Sequence, residues 1–171
     1  MLEFGIDIPG TDTAAARVAG QSRVLFVPGS LAASVRKPAT DFLSKDVFGG
    51  AATDVARIDL DRGRGHLLLA QRNGIWWIEQ PLKDLADAEA ASRLAGDLTA
   101  LRVIEFQTPD KDSLATWGLL PPLYRVVLSD PKGKTTTVEL GSTRADGNSV
   151  YARREGQTFT VGSSIVEELS K

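Results

Sequence analysis

The chain has 171 residues, a formal net charge of −2 and no cysteine. That length supports one sizeable core or two small ones, and the weak charge offers no field to draw nucleic acid or an anionic membrane. The absence of thiols excludes disulfides, thiolate metal sites and cysteine nucleophiles but leaves the compartment open. Hydrophobic residues at 42% and charged residues at 25% make it a globular composition, not a disordered one. No apolar run approaches the roughly 20 residues of a membrane helix, and no signal peptide is visible, as Met1 is followed at once by a strand-like LEFG.

Leu2–Ile8 alternates apolar and polar residues and reads as a strand ending at Pro9-Gly10. Ala14–Ala19 and Arg23–Val27 flank Gly20-Gln21 as a hairpin. Pro28-Gly29 then breaks the strand, and Ser30 is placed to cap a short helix over Leu31–Arg36. Asp41–Phe48, with Phe42, Leu43, Val47 and Phe48 as apolar anchors, leads to Gly49-Gly50, the expected joint between two units.

The second unit opens with Val55–Leu60, turns at Arg62–Gly65, and continues as a strand over His66–Gln71. Asn73-Gly74 is a strong hairpin signal, with Ile75–Glu79 as the return strand, so three consecutive strands form an antiparallel meander. Asp87 suits the cap of the main helix, and Glu89 suits its first turn. Ala91, Leu94, Leu98 and Leu101 make one apolar stripe that should pack on the meander. Val103–Phe106, Tyr124–Ser129, Lys134–Leu140, Ser149–Arg154 and Thr158–Val161 read as further strands, with turns at Asp130–Gly133 and Glu155-Gly156. Ser164 and Glu167 have the spacing of a capping box for a last short helix.

Val138–Gln157 repeats Leu2–Gln21 without a gap. Glu3, Gly5, Ala16, Arg17, Gly20 and Gln21 meet Glu139, Gly141, Ala152, Arg153, Gly156 and Gln157. The likeness resumes after a two-residue insertion in the first copy, where Val24–Val35 meets Thr158–Leu169. The expected organisation is therefore residues 1–48 as the C-terminal half of a first unit and residues 49–171 as a complete second one. On this reading the chain is an excised fragment that begins partway through a unit. The two copies would extend one sheet or pack as lobes, and residues 1–48 would fold by lending strands to the second unit. The expected fold class is α+β: an antiparallel meander, one main packed helix, and hairpins ending in short helices.

The chemistry-bearing residues form no catalytic constellation. His66, the only histidine, starts a strand beside a Gly-Arg turn, and no nucleophile motif accompanies it. Arg57, Arg62, Arg64 and Arg72 could make a basic edge for a phosphate or acidic partner, or a solvated edge that discourages strand pairing. Arg153-Arg154 and Arg17 invite the same choice, or long side chains covering apolar surface. Asp59, Asp61, Asp84, Asp87, Asp110 and Asp112 fit caps and turns, and no calcium-loop pattern is present. Gly63 with Gly65, and Gly49-Gly50, lack the strand-to-helix setting of a phosphate loop. Trp76 and Trp77 are adjacent on a strand, so one should be core and the other should face outward or lie under a second layer.

GIWWIEQP (Gly74–Pro81), the capped helix, WGLLPPLYRVVL (Trp117–Leu128), VELG (Val138–Gly141), VYARREGQ (Val150–Gln157) and VGSSIVEEL (Val161–Leu169) stand in an ordered series. In that order and spacing the chain resembles the uncharacterised bacterial family of domain of unknown function 4340. DFLSKDVF (Asp41–Phe48) looks like that family's link into a following unit. The resemblance implies envelope proteins with an N-terminal anchor and tandem units outside the cytoplasm, some beside ABC-transporter or gliding-type components. No catalytic residue carries over from it, and no cofactor or metal is expected. The expected function is a non-enzymatic interaction or scaffold module with a protein partner in an envelope complex. The alternative is a binder of a small apolar or lipid-like ligand between sheet and helix, which needs a cavity of about 300 Å³. A third reading, a hydrolase, needs His66 beside an acid and a hydroxyl in a cleft.

Overall fold

The structure is a computed structural model and describes residues 1–170. The chain divides into two compact units, Met1–Leu43 and the remainder from Ser44. The first unit contains β1 (Leu2–Asp7), β2 (Thr13–Val18), β3 (Val24–Pro28) and α1 (Gly29–Val35). Its three strands form an antiparallel sheet in the order β1-β2-β3. Gly10 and Gly20 take positive φ at the two turns, so each strand folds back on its sequence neighbour. Among the described residues these strands pair only with one another, so they do not lend themselves to the second sheet. Helix α1 begins at Gly29 with Pro28 as its cap, and Ser30 lies inside it, not at the cap. The Gly29 amide donates to the Asp12 carbonyl at 2.9 Å, which turns the chain before Ser30 is reached.

The second unit contains β4 (Arg57–Asp61), β5 (His66–Arg72), β6 (Ile75–Gln80), β7 (Asp84–Leu85), α2 (Ala88–Thr99), β8 (Glu105–Gln107) and α3 (Ser113–Thr116). It continues with β9 (Tyr124–Ser129), β10 (Thr135–Thr143), β11 (Ser149–Arg154), β12 (Gln157–Gly162) and α4 (Ser164–Ser170). All nine strands join in one antiparallel sheet, ordered β7-β6-β5-β4-β9-β10-β11-β12-β8. The protein is α+β, with the expected meander as β4–β6. Asn73 and Gly74 both have positive φ, as do Glu155 and Gly156, and both pairs close two-residue hairpins. Helix α4 starts at Ser164 itself, so Ser164 takes the first helical position and the expected capping box does not sit on it.

The meander meets the C-terminal hairpins through β4 and β9, where Ile58 faces Leu128 and Leu60 faces Val126. On one side of this seam Ile58, Leu60, Leu69 and Trp76 pack with Val126, Leu140, Val150, Phe159 and Val161 in a single core. Helix α2 lays Ala91, Ala95 and Leu98 on it. Asp87 caps that helix as expected, its carboxylate accepting from the Ala90 amide at 2.8 Å. The compact units part ahead of the repeat-based boundary at residue 48, because Val47 and Phe48 are buried in the second core. Arg154 fixes that segment by donating to the carbonyls of Asp46 (2.6 Å) and Val47.

Leu98 is fully buried while Leu94 is only half-buried. Leu98→Ala should therefore cost about 2–5 kcal/mol and Leu94→Ala clearly less, measured by urea unfolding of the two variants. Equal costs would show that the helix does not pack as described.

Candidate functional site

The repeated stretch builds the same hairpin twice, down to its irregularity. Glu3 faces Arg17 and Phe4 faces Ala16 across β1–β2, and the register then slips before Asp7 meets Ala14. Glu139 faces Arg153 and Leu140 faces Ala152 across β10–β11, with the same slip before Thr143 meets Val150. Each copy carries the cross-strand ion pair: Arg17 Nε to Glu3 Oε2 at 2.6 Å, and Arg153 Nε to Glu139 Oε2 at 2.7 Å. Arg17 and Arg153 are thus committed to carboxylates on their own hairpins, which accounts for their recurrence.

The two copies differ in what lies over that face. In the second unit Trp117 stacks on Tyr151, with ring centroids 4.6 Å apart and planes 5° apart. The Trp117 carbonyl accepts from the Ser142 amide at 2.7 Å. The backbone comes so close that a Cβ on Gly141 would sit 2.0 Å from the Trp117 oxygen. Only glycine fits there. Farther across the same face, Thr158 and Thr160 are 3% and 0% exposed. In the first unit the matching residues are Gly5, Ala15, Val24 and Phe26. A Cβ on Gly5 would meet nothing closer than the Ala15 carbonyl at 3.4 Å, an ordinary contact. Val24 and Phe26 are 55% and 70% exposed. A groove of about 270 Å³ runs over Glu3, Gly5, Ala15, Arg17 and Val24. Both edges of this sheet, at β1 and β3, carry no strand among the described residues, whereas β10 is flanked by β9 and β12 by β8.

His66 is held by two acceptors. Nε2 lies 2.7 Å from Asp59 Oδ1, and Nδ1 bonds Gln80 Oε1. Asp59 is the diagonal neighbour of His66 on one face of the β4–β5 hairpin, as its direct partner is Leu68. A hairpin register drawn on the sequence would have found the pair. With a carboxylate and an amide oxygen on its two nitrogens, the ring is suited to the doubly protonated form. The Asp59 hydrogen bond, then that of Gln80, raises its pKa above the ordinary 6.5. Neither nitrogen faces a hydroxyl, so His66 ties strands β4, β5 and β6 together. Because its folded pKa is raised, this contribution is full below the unfolded pKa and is lost as pH rises through the folded one. The His66 proton resonances should titrate with a midpoint above 6.5, and Asp59→Asn should lower that midpoint. A midpoint unmoved by Asp59→Asn would show that the contact does not form.

The other sequence candidates fall into structural roles. Arg57 and Arg72 both pair with Glu79, the first at 3.7 Å, so a single carboxylate is shared between two guanidinium groups. Asp61 accepts from the Gly63 amide, and Asp110 from the amides of Asp112 and Ser113. These are turn and cap geometries. Trp76 is buried at 3% exposure and Trp77 faces outward at 39%, as adjacent strand positions require. Between the meander and α2 lies a cavity of about 350 Å³ lined by Leu60, Leu67, Leu69, Ile78, Ala90 and Leu94, with Arg62, Arg93, Asp87 and Glu168 also on its wall; Arg93 is paired with Glu89 at 2.6 Å. Among the described residues no group of three or more His, Asp or Glu side chains could hold a metal ion. Among the described residues no helix is long and apolar enough to cross a membrane.

No curated protein and no solved structure matches the chain. A family model does, over residues 1–113 and again over 76–171. With its length spanned and its ordered motifs set on one antiparallel scaffold, the chain belongs to the family described as domain of unknown function DUF4340.

Proposed function

We infer that this chain is a non-enzymatic interaction module, acting as a scaffold element in a bacterial envelope assembly with a transporter-associated protein as partner. One observation carries the interaction reading. The sheet face that is covered in the second copy is open and apolar in the first, at Val24 and Phe26, beside two edges that carry no further strand among the described residues, Arg36 donating to the Gly5 carbonyl of β1. The envelope setting rests on the family resemblance. The engagement of both His66 nitrogens supports the non-enzymatic part, since a general base needs one free. A photo-crosslinking residue placed at Phe26 in native cells should give a discrete heteromeric adduct that the same residue at Arg93 does not. Identical adduct patterns at both positions, or none at Phe26, would overturn the reading.

A second reading has its own observation: the 350 Å³ cavity under α2, aliphatic at Leu60, Leu67, Leu69, Ile78 and Leu94, with Arg62, Arg93, Asp87 and Glu168 on its wall. Its volume lies within the range of small-ligand sites, and its aliphatic lining suits an apolar or lipid-like tail. Decanoate should shift the methyl resonances of Leu67, Ile78 and Leu94, and Ala90→Phe should abolish those shifts. Unchanged methyl resonances at millimolar decanoate would remove this reading.

A further inference from the structure

In the second unit the Glu139/Gly141/Tyr151/Arg153 face and the outer edge of β10 are served by one continuous segment. Trp117-Gly118 lies over Gly141 and Tyr151, and the chain then runs into β9, which pairs antiparallel with β10. The register places Val126 against Val138, Arg125 against Glu139 and Tyr124 against Leu140. The first unit reproduces the receiving side. Leu2, Glu3 and Phe4 of β1 occupy the places of Val138, Glu139 and Leu140, and Gly5 that of Gly141. The 270 Å³ groove over Gly5 and Ala15 lies where Trp117-Gly118 would sit. Glycine at position 5 is not demanded by anything within its own hairpin, since an added Cβ would make only ordinary contacts. Its counterpart shows when glycine is demanded, namely when another backbone lies across it.

We propose that the β1 edge and the adjoining groove form a strand-acceptor site for a segment of another polypeptide with the chemistry of this chain's own Trp117–Leu128. That segment is a Trp-Gly pair followed by an extended Tyr-Arg-Val-Val strand. The strand adds antiparallel to β1 through main-chain hydrogen bonds, its arginine falls opposite Glu3, and its Trp-Gly backbone crosses Gly5. The matched register and the groove over Gly5 and Ala15 select this occupant over a second copy of the chain, whose own β9 is held between β4 and β10. The proposal rests on the interaction reading and names its partner segment.

The test uses the full chain and a synthetic peptide of sequence WGLLPPLYRVVL. Amide hydrogen exchange should show new protection at Leu2–Asp7 on peptide addition. Gly5→Ala should keep the melting temperature but weaken binding about tenfold or more, because the added methyl meets the incoming backbone. Ala15→Tyr should strengthen binding by restoring the stacking partner that Tyr151 provides. A peptide with glutamate at the Arg125 position should bind more weakly. Protection appearing in the second unit, undiminished binding to Gly5→Ala, self-association through β1, or no binding would each overturn the strand-acceptor site. If crosslinks at Phe26 still capture a discrete partner while the peptide fails, only the proposed segment falls. If the crosslinks fail as well, the interaction reading falls with it.

Discussion

The pairing of β4 with β9 is the constraint on which the second unit depends. Each side of that seam is a run of local hairpins, and a hairpin alone is marginal in water. The meander β4–β6 can bury Ile58, Leu60 and Leu69 only against something, and β9–β12 has the same need for Val126, Leu140 and Phe159. Joining the two runs edge to edge places these side chains on one face and lets α2 cover them as a single core. The first unit has no counterpart of this seam. Its buried residues include only the small side chains Ala14, Ala16 and Ala32. The same hairpin is thus built into a broad sheet in one place and left as a three-stranded one in the other.

Local pattern in the sequence located the elements well. Tyr124–Ser129 and Ser149–Arg154 have the bounds that alternation and turn residues suggest, and Asp87 caps the helix it was expected to cap. Asn73-Gly74 closes its hairpin because both residues accept positive φ. Pattern was less informative where a neighbour distant in sequence decides the outcome. Ser30 and Ser164 are good capping residues, but each helix starts at or before them, in the first case because Asp12 engages the chain at Gly29. Ala95 is fully part of the α2 contact yet invisible to a leucine stripe, since a small residue on a helix carries little pattern signal. The role of Gly141 could not be read locally either, because the backbone that demands it belongs to Trp117.

The candidate site divides the same way. That the repeat is structural was legible from Glu3, Arg17 and their counterparts, which recur at the positions an antiparallel pair needs. That one copy is covered and the other open was not, because covering depends on Trp117 and Tyr151 meeting in space, and the matching residue in the first copy is only an alanine. His66 illustrates the converse. It stands alone as a sequence feature, yet the β4–β5 register sets it beside Asp59 and the β6 return brings Gln80 to its other nitrogen. Its surroundings are made by strand pairing, not by a motif.

The exposed face of the first sheet also bears on how the protein behaves in concentrated solution. Thr158 and Thr160 are buried with no hydrogen-bond partner for their hydroxyls, whereas the matching Val24 and Phe26 are apolar and open. Polarity is therefore inverted relative to burial between the copies. Open edges beside exposed apolar side chains invite sheet-to-sheet aggregation. What opposes it is the set of charges on and around β1: Glu3 with Arg17, and Asp7 with Arg36 at 2.7 Å. These exposed pairs act as gatekeepers of colloidal stability at that edge, and salt screens them.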